Sequence, residues 1–358
     1  MIKMKFINTY ITLIAAILLG SCSNNEGHEV VGDSDVPISL TCSLQGQTRA
    51  YTSTQSVQIP DGRTVSVWCD EHADKADATN HAGDVPDYVK GWQLTVNSGN
   101  LTSANTYYYP KSGNAVDFYA LHGHLNNSIT EGTTTWGSLT TGLTHTVSTD
   151  QHMAGNLEQS DLLYAIKHNV AKTKTAQLLH FKHLMSKIEI YLLCSSGITQ
   201  ADIQDANLKV DVLNTKLVAD VTLSKSDQSS CTIAASGPVS ATTQNAIAAR
   251  LQNDNSTTVD VPDPANPGSN MTVNAYAFAE AIIVPQQFDT AYDGSGAGMN
   301  LIRVTLGDGS KRITKPATYH FQPGKRYVFY ITVNAKDLSI KSEITDWVDG
   351  TTSNVVAI

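Results

Sequence analysis

The sequence has little charge and no concentration of positive charge. Lys, Arg, Asp and Glu together make up 16% of the 358 residues, and the formal net charge is −9. A surface that binds nucleic acid, or an anionic membrane through its charge, needs clustered Lys and Arg. Because the chain contains no such cluster, we expect neither nucleic acid nor a polybasic membrane contact among its partners.

The sequence also lacks the common signatures of catalysis and of metal binding. It has no G-x-S-x-G, H-E-x-x-H or C-x-x-C segment, and such segments place a nucleophile or closely spaced zinc ligands. His122 and His124 could offer two metal ligands on one strand face, although a loop after the apolar segment at 115–121 is the favoured interpretation. We therefore predict no catalytic residues, no enzyme activity, no metal site and no cofactor.

The five cysteines are scattered along the chain. An exported protein can form disulfides, but Cys42, Cys69 and Cys194 lie in segments with the pattern of strands. We therefore predict that most of the cysteines after Cys22 are buried free thiols. The state of Cys42 matters in particular, because a disulfide from it would tie the first strand permanently to the rest of the chain.

The N-terminus has the pattern of an export signal that ends in a lipidation site. Lys3 and Lys5 precede an apolar run at 11–19, which is too short to span a membrane. The segment Leu19-Gly20-Ser21-Cys22 resembles a bacterial lipobox, in which small residues precede the cysteine that receives the lipid. We predict a signal peptide at 1–21, with Cys22 lipidated and held in the outer membrane by its acyl chains. A plain secretory signal with an incidental cysteine is the alternative.

A complete amphipathic strand follows. Apolar residues occupy alternate positions, which predicts a strand with one buried face; they are Val36, Ile38, Leu40, Cys42 and Leu44. Arg49, followed by Ala50, is the only Lys or Arg between Cys22 and Arg63. A trypsin-like protease would therefore have one place to cut, directly after this strand. A permanent first strand followed by a linker is the alternative, and composition alone favours it.

Short apolar or alternating segments with turn residues between them recur through the rest of the chain. They lie at 64–69, 92–96, 115–121, 184–193, 208–213, 217–223, 275–284, 301–306 and 327–333. Helical periodicity is weak and limited to 200–207 and 242–251, while Asp308-Gly309 predicts a hairpin turn. Many strands with few short helices predict an all-β protein built from β-sandwiches. A boundary is expected at Ser195-Ser196-Gly197.

Six short motifs follow one another along the chain. They are TRA from Thr48, DLLYA from Asp161, LHFKHLMSKI from Leu179, IIVPQ from Ile282, FQPGKRY from Phe321 with ITV from Ile331, and ITDW from Ile344. In this order the sequence resembles the fimbrillin family, the lipoprotein pilin subunits of Gram-negative anaerobes. The resemblance extends over nearly the whole chain after Cys22.

The resemblance implies a two-domain fold and a maturation route. The fold would be two tandem transthyretin-like β-sandwiches, at 51–196 and 197–358, after a lipidated leader at 22–50. The precursor would be exported, lipidated and carried to the outer surface, where cleavage between Arg49 and Ala50 would remove the leader with its first strand.

The vacated groove would then receive a strand from the C-terminal region of another subunit. Leu338 and Ile340 share one face, as do Val356 and Ile358, so these four are the candidate donor residues. The apolar tail is short and is interrupted by Asp346 and by the polar segment at 349–352. Shaft, tip and accessory positions in a fimbrium therefore stay open.

We expect a fimbrial subunit or adhesin that is exposed on the outer membrane and is part of a fimbrium after processing. Its partners would be other fimbrial subunits and, through the lipid, the outer membrane. The alternative is a permanently lipid-anchored protein that binds a glycan or host ligand through exposed aromatic side chains. Core packing is nevertheless the expected role of Trp68, Trp92 and Trp136.

Overall fold

The computed structural model describes residues 35–44, 59–74, 76, 81–237, 246–263, 266, 268–288, 300–314, 319–347 and 355–356. Four residues singled out by the sequence analysis, Cys22, Arg49, Ala50 and Ile358, lie outside the described residues. The N-terminal signal at 1–21 also lies outside them.

Strands dominate the described residues, which confirms the all-β prediction. The strands are β1 (Leu40–Leu44), β2 (Thr64–His72), β3 (Val85–Asn97), β4 (Asn100–Thr102), β5 (Ala115–His122), β6 (Thr144–Thr146), β7 (Leu163–Val170), β8 (Gln177–His183), β9 (Ser186–Cys194), β10 (Lys209–Leu213), β11 (Val218–Thr222), β12 (Thr232–Ser236), β13 (Ala246–Ala248), β14 (Arg250–Gln252), β15 (Thr257–Pro262), β16 (Asn270–Ala275), β17 (Ala277–Ile283), β18 (Gln287–Phe288), β19 (Ile302–Thr305), β20 (Lys311–Thr314), β21 (Tyr319–His320), β22 (Lys325–Val333), β23 (Leu338–Asp346) and β24 (Val355–Val356). The helices are α1 (Trp136–Thr140), α2 (Ala154–Ser160) and α3 (Gln200–Ile203), with a 3-10 turn at Gln228–Ser230.

The first half of the described chain forms a closed ring of strands. The order around the ring is β1-β4-β3-β2-β5-β7-β8. β1 closes it, because β1 pairs with β4 in the antiparallel sense and with β8 in the parallel sense. β1 thus finds hydrogen-bond partners along both of its edges. With β1 in place, every strand of the ring is paired on both sides.

The second half centres on a six-stranded sheet in the order β14-β17-β9-β22-β23-β24. β9 lies in its middle, antiparallel to β17 and parallel to β22. The change of sheet therefore lies between β8 and β9, before the boundary expected at Ser195-Ser196-Gly197. One hydrophobic core runs through both halves, and the chain from Asp35 to Ile358 forms one compact unit. The division into domains at 51–196 and 197–358 stays a prediction.

The helix predicted at 242–251 is wrong where the structure describes that segment. Residues 246–252 contain β13 and β14, and Ile247 and Ala249 are buried while their neighbours are half-buried. This burial has the period of a strand, and Ile247 pairs with Val212 on β10. The helix predicted from residue 200 is present as the short α3, which the side chains of Thr199 and Asp202 cap reciprocally.

Three of the family-like motifs meet in one buried contact. Nδ1 of His183 donates a hydrogen bond to Oδ2 of Asp161 at 2.7 Å. The His183 ring also stacks on Trp347, with centroids 3.8 Å apart and planes inclined by 12°. Asp161 precedes β7, His183 ends β8 and Trp347 follows β23, so the contact ties the ring to the six-stranded sheet. We infer that these motif residues hold the fold together.

Another motif residue, Lys187 on β9, is fully buried in an ionic cluster. Its Nζ lies 2.7 Å from Oε1 of Glu189 and 2.9 Å from Oε2 of Glu280. Burial alone would lower the pKa of Lys187, but the two carboxylates raise it above its usual value. Arg250 and Arg326 approach the same carboxylates from outside. The cluster therefore links β9 to β17 through charges that compensate one another.

We predict that Lys187→Met lowers the free energy of unfolding by about 3–5 kcal/mol, because it leaves buried carboxylates without their central cation. Urea unfolding followed by tryptophan fluorescence measures the change. Lys209→Met is the matched control, since Lys209 is exposed on β10, and it is expected to change stability by less than about 0.5 kcal/mol. Equal effects of the two substitutions would contradict the assigned role of Lys187.

Candidate functional site

The candidate site is the first strand segment, at 36–44, together with the slot that it fills. Its five alternate apolar side chains are at most 7% exposed; they are Val36, Ile38, Leu40, Cys42 and Leu44. Pro37 and Ser39 between them are exposed. The single buried face predicted from the alternation is therefore confirmed.

Backbone hydrogen bonds hold this segment on both edges. β1 runs parallel to β8 in a register that pairs Leu40 with Gln177 and Leu44 with Phe181. On the other edge the N–H of Cys42 donates to the carbonyl of Gly99 at 2.8 Å. Before β1 the contacts continue, because the N–H of Ile38 donates to the carbonyl of Tyr107 at 2.8 Å.

On this same edge, a backbone carbonyl of the segment also accepts a hydrogen bond. The N–H of Tyr109 donates to the carbonyl of Val36 at 3.0 Å. The segment is therefore integrated along its whole length, and not only within the five residues of β1.

Removal of the segment would open the ring between β4 and β8. Both edges would then present unpaired backbone groups, and an exposed strand edge readily pairs with another chain. The four aliphatic side chains of the segment contribute about 1.5–3 kcal/mol each by burial, or roughly 6–12 kcal/mol together as an upper estimate. A replacement strand that supplied similar side chains would recover this stabilisation.

The segment has no described covalent cross-link to the ring. The described cysteines Cys42, Cys69, Cys194 and Cys231 are all free thiols, of which the first two are buried and the others half-buried. Burial, with a smaller effect of Asp61, raises the pKa of Cys42 to about 11, which keeps the thiol protonated. The chain therefore connects β1 to β2 only through residues 45–63, which include Arg49.

The candidate donor residues lie in different settings. Leu338 and Ile340 belong to β23, which pairs with β22 over nine residues, and both pack against the core. Val356 lies in β24, which pairs with β23 over two residues only. Of the two described strands that hold a candidate donor residue, β24 therefore has the shorter pairing.

His122 and the three tryptophans considered in the sequence analysis have structural roles. Nδ1 of His122 donates to the carbonyl of Thr64 at 2.8 Å, while His124 is exposed in the loop that follows, so the two do not form a ligand pair. Burial lowers the pKa of His122. The side chains of Trp68, Trp92 and Trp136 are between 0% and 7% exposed, which confirms their expected place in the core.

The structure also gathers a cluster that the sequence analysis does not single out, composed of His72, His81, Asp84, Asp117 and His168. These residues come from three strands and a connecting segment, so their spacing matches no short motif. Burial opposes ionisation of Asp117, but the ring of His168 and the backbone N–H of Asn169 lower its pKa below the usual value. Only strand pairing could have revealed this cluster, since it sets β5 between β2 and β7.

We predict that Leu40→Ala lowers the free energy of unfolding of the uncleaved chain by about 2–5 kcal/mol, because it leaves a cavity under β1. Thermal and urea unfolding measure the loss. Ser39→Ala is the matched control, since Ser39 is exposed on the opposite face, and it is expected to have an effect within about 0.5 kcal/mol. A small effect of Leu40→Ala would show that β1 is loosely packed.

Several solved structures are similar to this chain. A candidate cell adhesion protein from Bacteroides ovatus has a TM-score of 0.57 and 16% identity, covering 89% of this chain and 100% of its own. A candidate cell adhesion protein from Bacteroides uniformis has a TM-score of 0.49 and 17% identity, covering 88% and 99%. A fimbrial protein from Bacteroides vulgatus has a TM-score of 0.44 and 11% identity, covering 87% and 99%. The first of these shows a shared fold.

No curated protein matches the sequence. Within the described ranges, no helix is both long and apolar enough to cross a membrane. A family model described as fimbrillin-like matches residues 48–347, which is most of the chain and includes the motifs from TRA to ITDW. On the strength of this match, the chain belongs to the fimbrillin-like family.

Proposed function

We propose that this protein is a fimbrial subunit or adhesin whose first strand is exchanged for a strand of another subunit. Membership of the fimbrillin-like family supports a fimbrial or adhesive role at the cell surface, and not an enzymatic one. The observation that carries the exchange is the segment at 36–44. It closes the ring with five buried side chains, and the described cysteines form no disulfide that would retain it.

Cleavage would leave the first strand without a covalent link to the ring, so that packing and hydrogen bonds alone would hold it. Arg49 lies five residues beyond the end of β1 at Leu44, so cleavage between Arg49 and Ala50 leaves the strand complete and detachable. The released leader would carry the lipid on Cys22, and the rest of the chain would leave the outer membrane for the fimbrium. Until then, the acyl chains on Cys22 would hold the precursor at the outer membrane.

The incoming strand would restore both edges of the slot by β-augmentation. We assign the donor role to residues 348–358, while Leu338 and Ile340 stay in β23. At about 3.3 Å per residue, these eleven residues extend about 36 Å, which exceeds the roughly 30 Å of the nine-residue slot. Val356 and Ile358 would supply apolar side chains on one face. The stacked pair of Trp347 and His183 would anchor the base of the donor.

Such a contact uses different surfaces on its two partners. The slot of one subunit would receive the tail of the next, so the contact is head to tail and does not close on itself. It would therefore propagate into a fibre. A subunit with a slot and a weak tail would instead end a fibre, because it would accept a strand without donating one.

We predict that trypsin cuts the unlipidated precursor, beginning at Ser23, between Arg49 and Ala50 before it cuts the folded ring. Mass spectrometry of the products is expected to show a new N-terminus at Ala50, and size-exclusion chromatography is expected to show oligomers afterwards. Arg49→Ala is the control, and it should remain uncut at this position and monomeric. An intact leader in the unmodified chain, or cleavage without later assembly, would favour a permanently anchored binding protein.

We predict that deletion of residues 348–358 abolishes assembly without preventing cleavage, because the acceptor slot is unchanged. The truncated and cleaved protein should still bind a synthetic peptide of residues 36–44, as measured by the rise in melting temperature on peptide addition. Assembly of the truncated protein at the normal rate would move the donor role to another part of the chain.

A further inference from the structure

Four ligand-bearing side chains converge at one point on the ring, away from the β1 slot. His72 is the last residue of β2, Asp117 lies in β5, and His81 and Asp84 lie in the segment that connects β2 to β3. One nitrogen or carboxylate oxygen from each of the four lies within 4.8 Å of the others. Two strands and a connecting segment thus assemble the four side chains, and His168 of β7 borders them.

Two distances to Nδ1 of His72 resemble those between ligands of one ion, whereas Nδ1 of His81 and Oδ2 of Asp84 already form an ordinary hydrogen bond at 2.8 Å. Oδ2 of Asp117 lies 3.5 Å from Nδ1 of His72 and 3.8 Å from Nδ1 of His81, beyond the range of ordinary N–H···O hydrogen bonds. Oδ1 of Asp84 lies 3.4 Å from Nδ1 of His72. A tetrahedral ion with N and O ligands about 2.0–2.1 Å away separates those atoms by about 3.3–3.4 Å.

A second observation concerns the buried carboxylate of Asp117. The side chain is fully buried, and its Oδ1 accepts a hydrogen bond from the backbone N–H of Asn169 at 2.6 Å. Its Oδ2 makes no hydrogen bond of ordinary geometry among the described residues, and of the three imidazole nitrogens near it, Nδ1 of His168 is the nearest at 3.3 Å. A buried carboxylate oxygen without a hydrogen bond is costly, and a bound cation would satisfy it.

Supporting hydrogen bonds orient the two carboxylates. Asn169 fixes Asp117 as described, and the backbone N–H of Ala73 donates to Oδ1 of Asp84 at 2.9 Å. Nδ1 of His168 lies 3.3 Å from Oδ2 of Asp117, the same oxygen that faces the other two imidazoles, and would help to fix its direction. Such outer contacts are typical of metal sites, where they fix the direction of the ligands.

The cluster is closed on one side and open on the other. The side chains of His72 and Asp117 have no exposed surface, whereas that of His81 is 45% exposed. An ion could therefore reach the cluster from solvent past His81 and be held against the ring. Imidazole nitrogen together with carboxylate oxygen suits zinc and similar transition metals better than calcium or magnesium, which prefer oxygen ligands alone.

We propose that His72, His81, Asp84 and Asp117 form a zinc-binding site, with His168 as a positioning residue for Asp117. The site would join the β2–β3 connection to β5. The existence of the site does not depend on the lipidation, cleavage and strand exchange proposed above.

The test uses tag-free, uncleaved chain beginning at Ser23, stripped of metal with a chelator and titrated with zinc chloride by calorimetry. One zinc ion per chain is expected, together with a higher melting temperature, and X-ray absorption should show four nitrogen and oxygen neighbours without sulfur. Calcium and magnesium at the same concentration should leave the melting temperature unchanged.

His81→Ala is the informative variant, because His81 is partly exposed and its loss should leave the metal-free fold intact. Its zinc affinity is expected to fall about tenfold or more, with the melting temperature of the metal-free protein unchanged. His124→Ala is the matched control at an exposed histidine outside the cluster, and its affinity should equal that of the unmodified chain. No saturable zinc binding, sulfur ligation, or equal affinity in His81→Ala would overturn the proposal.

Discussion

The structure depends on the pairing of both edges of β1. A ring of strands is stable because it leaves no strand edge open, and here the ring is closed by one short segment between β4 and β8. That segment contributes five buried side chains and is not tied by the described cysteines. The strand that closes the ring is thus held by packing and hydrogen bonds and by no disulfide among the described cysteines, which is the physical basis of the proposed exchange.

An exchange of this kind requires that the rest of the molecule keeps its shape while the slot is open. The buried contacts away from the slot meet this requirement. Stacking of His183 on Trp347 joins the ring to the six-stranded sheet, and the ionic cluster around Lys187 joins β9 to β17. None of these contacts involves the segment at 36–44, so its departure would leave them unchanged. The motifs that carry the family resemblance thus include residues of both contacts, and one of these motifs also includes part of β8, which pairs with β1.

The sequence predicts features that repeat along the chain, and it misses features that depend on long-range pairing. Alternation from Val36 to Leu44 predicts the buried face, since it needs only the period of a strand. It cannot show that β9 joins β17 and β22, because a strand's partners are not encoded in its own pattern. The helix expected at 242–251 failed because short apolar segments have similar periodicities in both structures. The cluster of His72 and Asp117 was missed because β2 and β5 bring together residues that are far apart in sequence.

The two proposals concern opposite sides of the ring, and their positions have a mechanical consequence. From β1, the order through β4 and β3 reaches β2 and β5, which carry His72 and Asp117 on the side away from the slot. Loss of β1, as proposed, would convert a closed ring into an open sheet, whose strands could then change their curvature. An ion held between β2, β5 and the β2–β3 connection would oppose that change where the open sheet bends. Metal binding would therefore matter more to the cleaved acceptor than to the precursor, because β1 already restrains the intact ring.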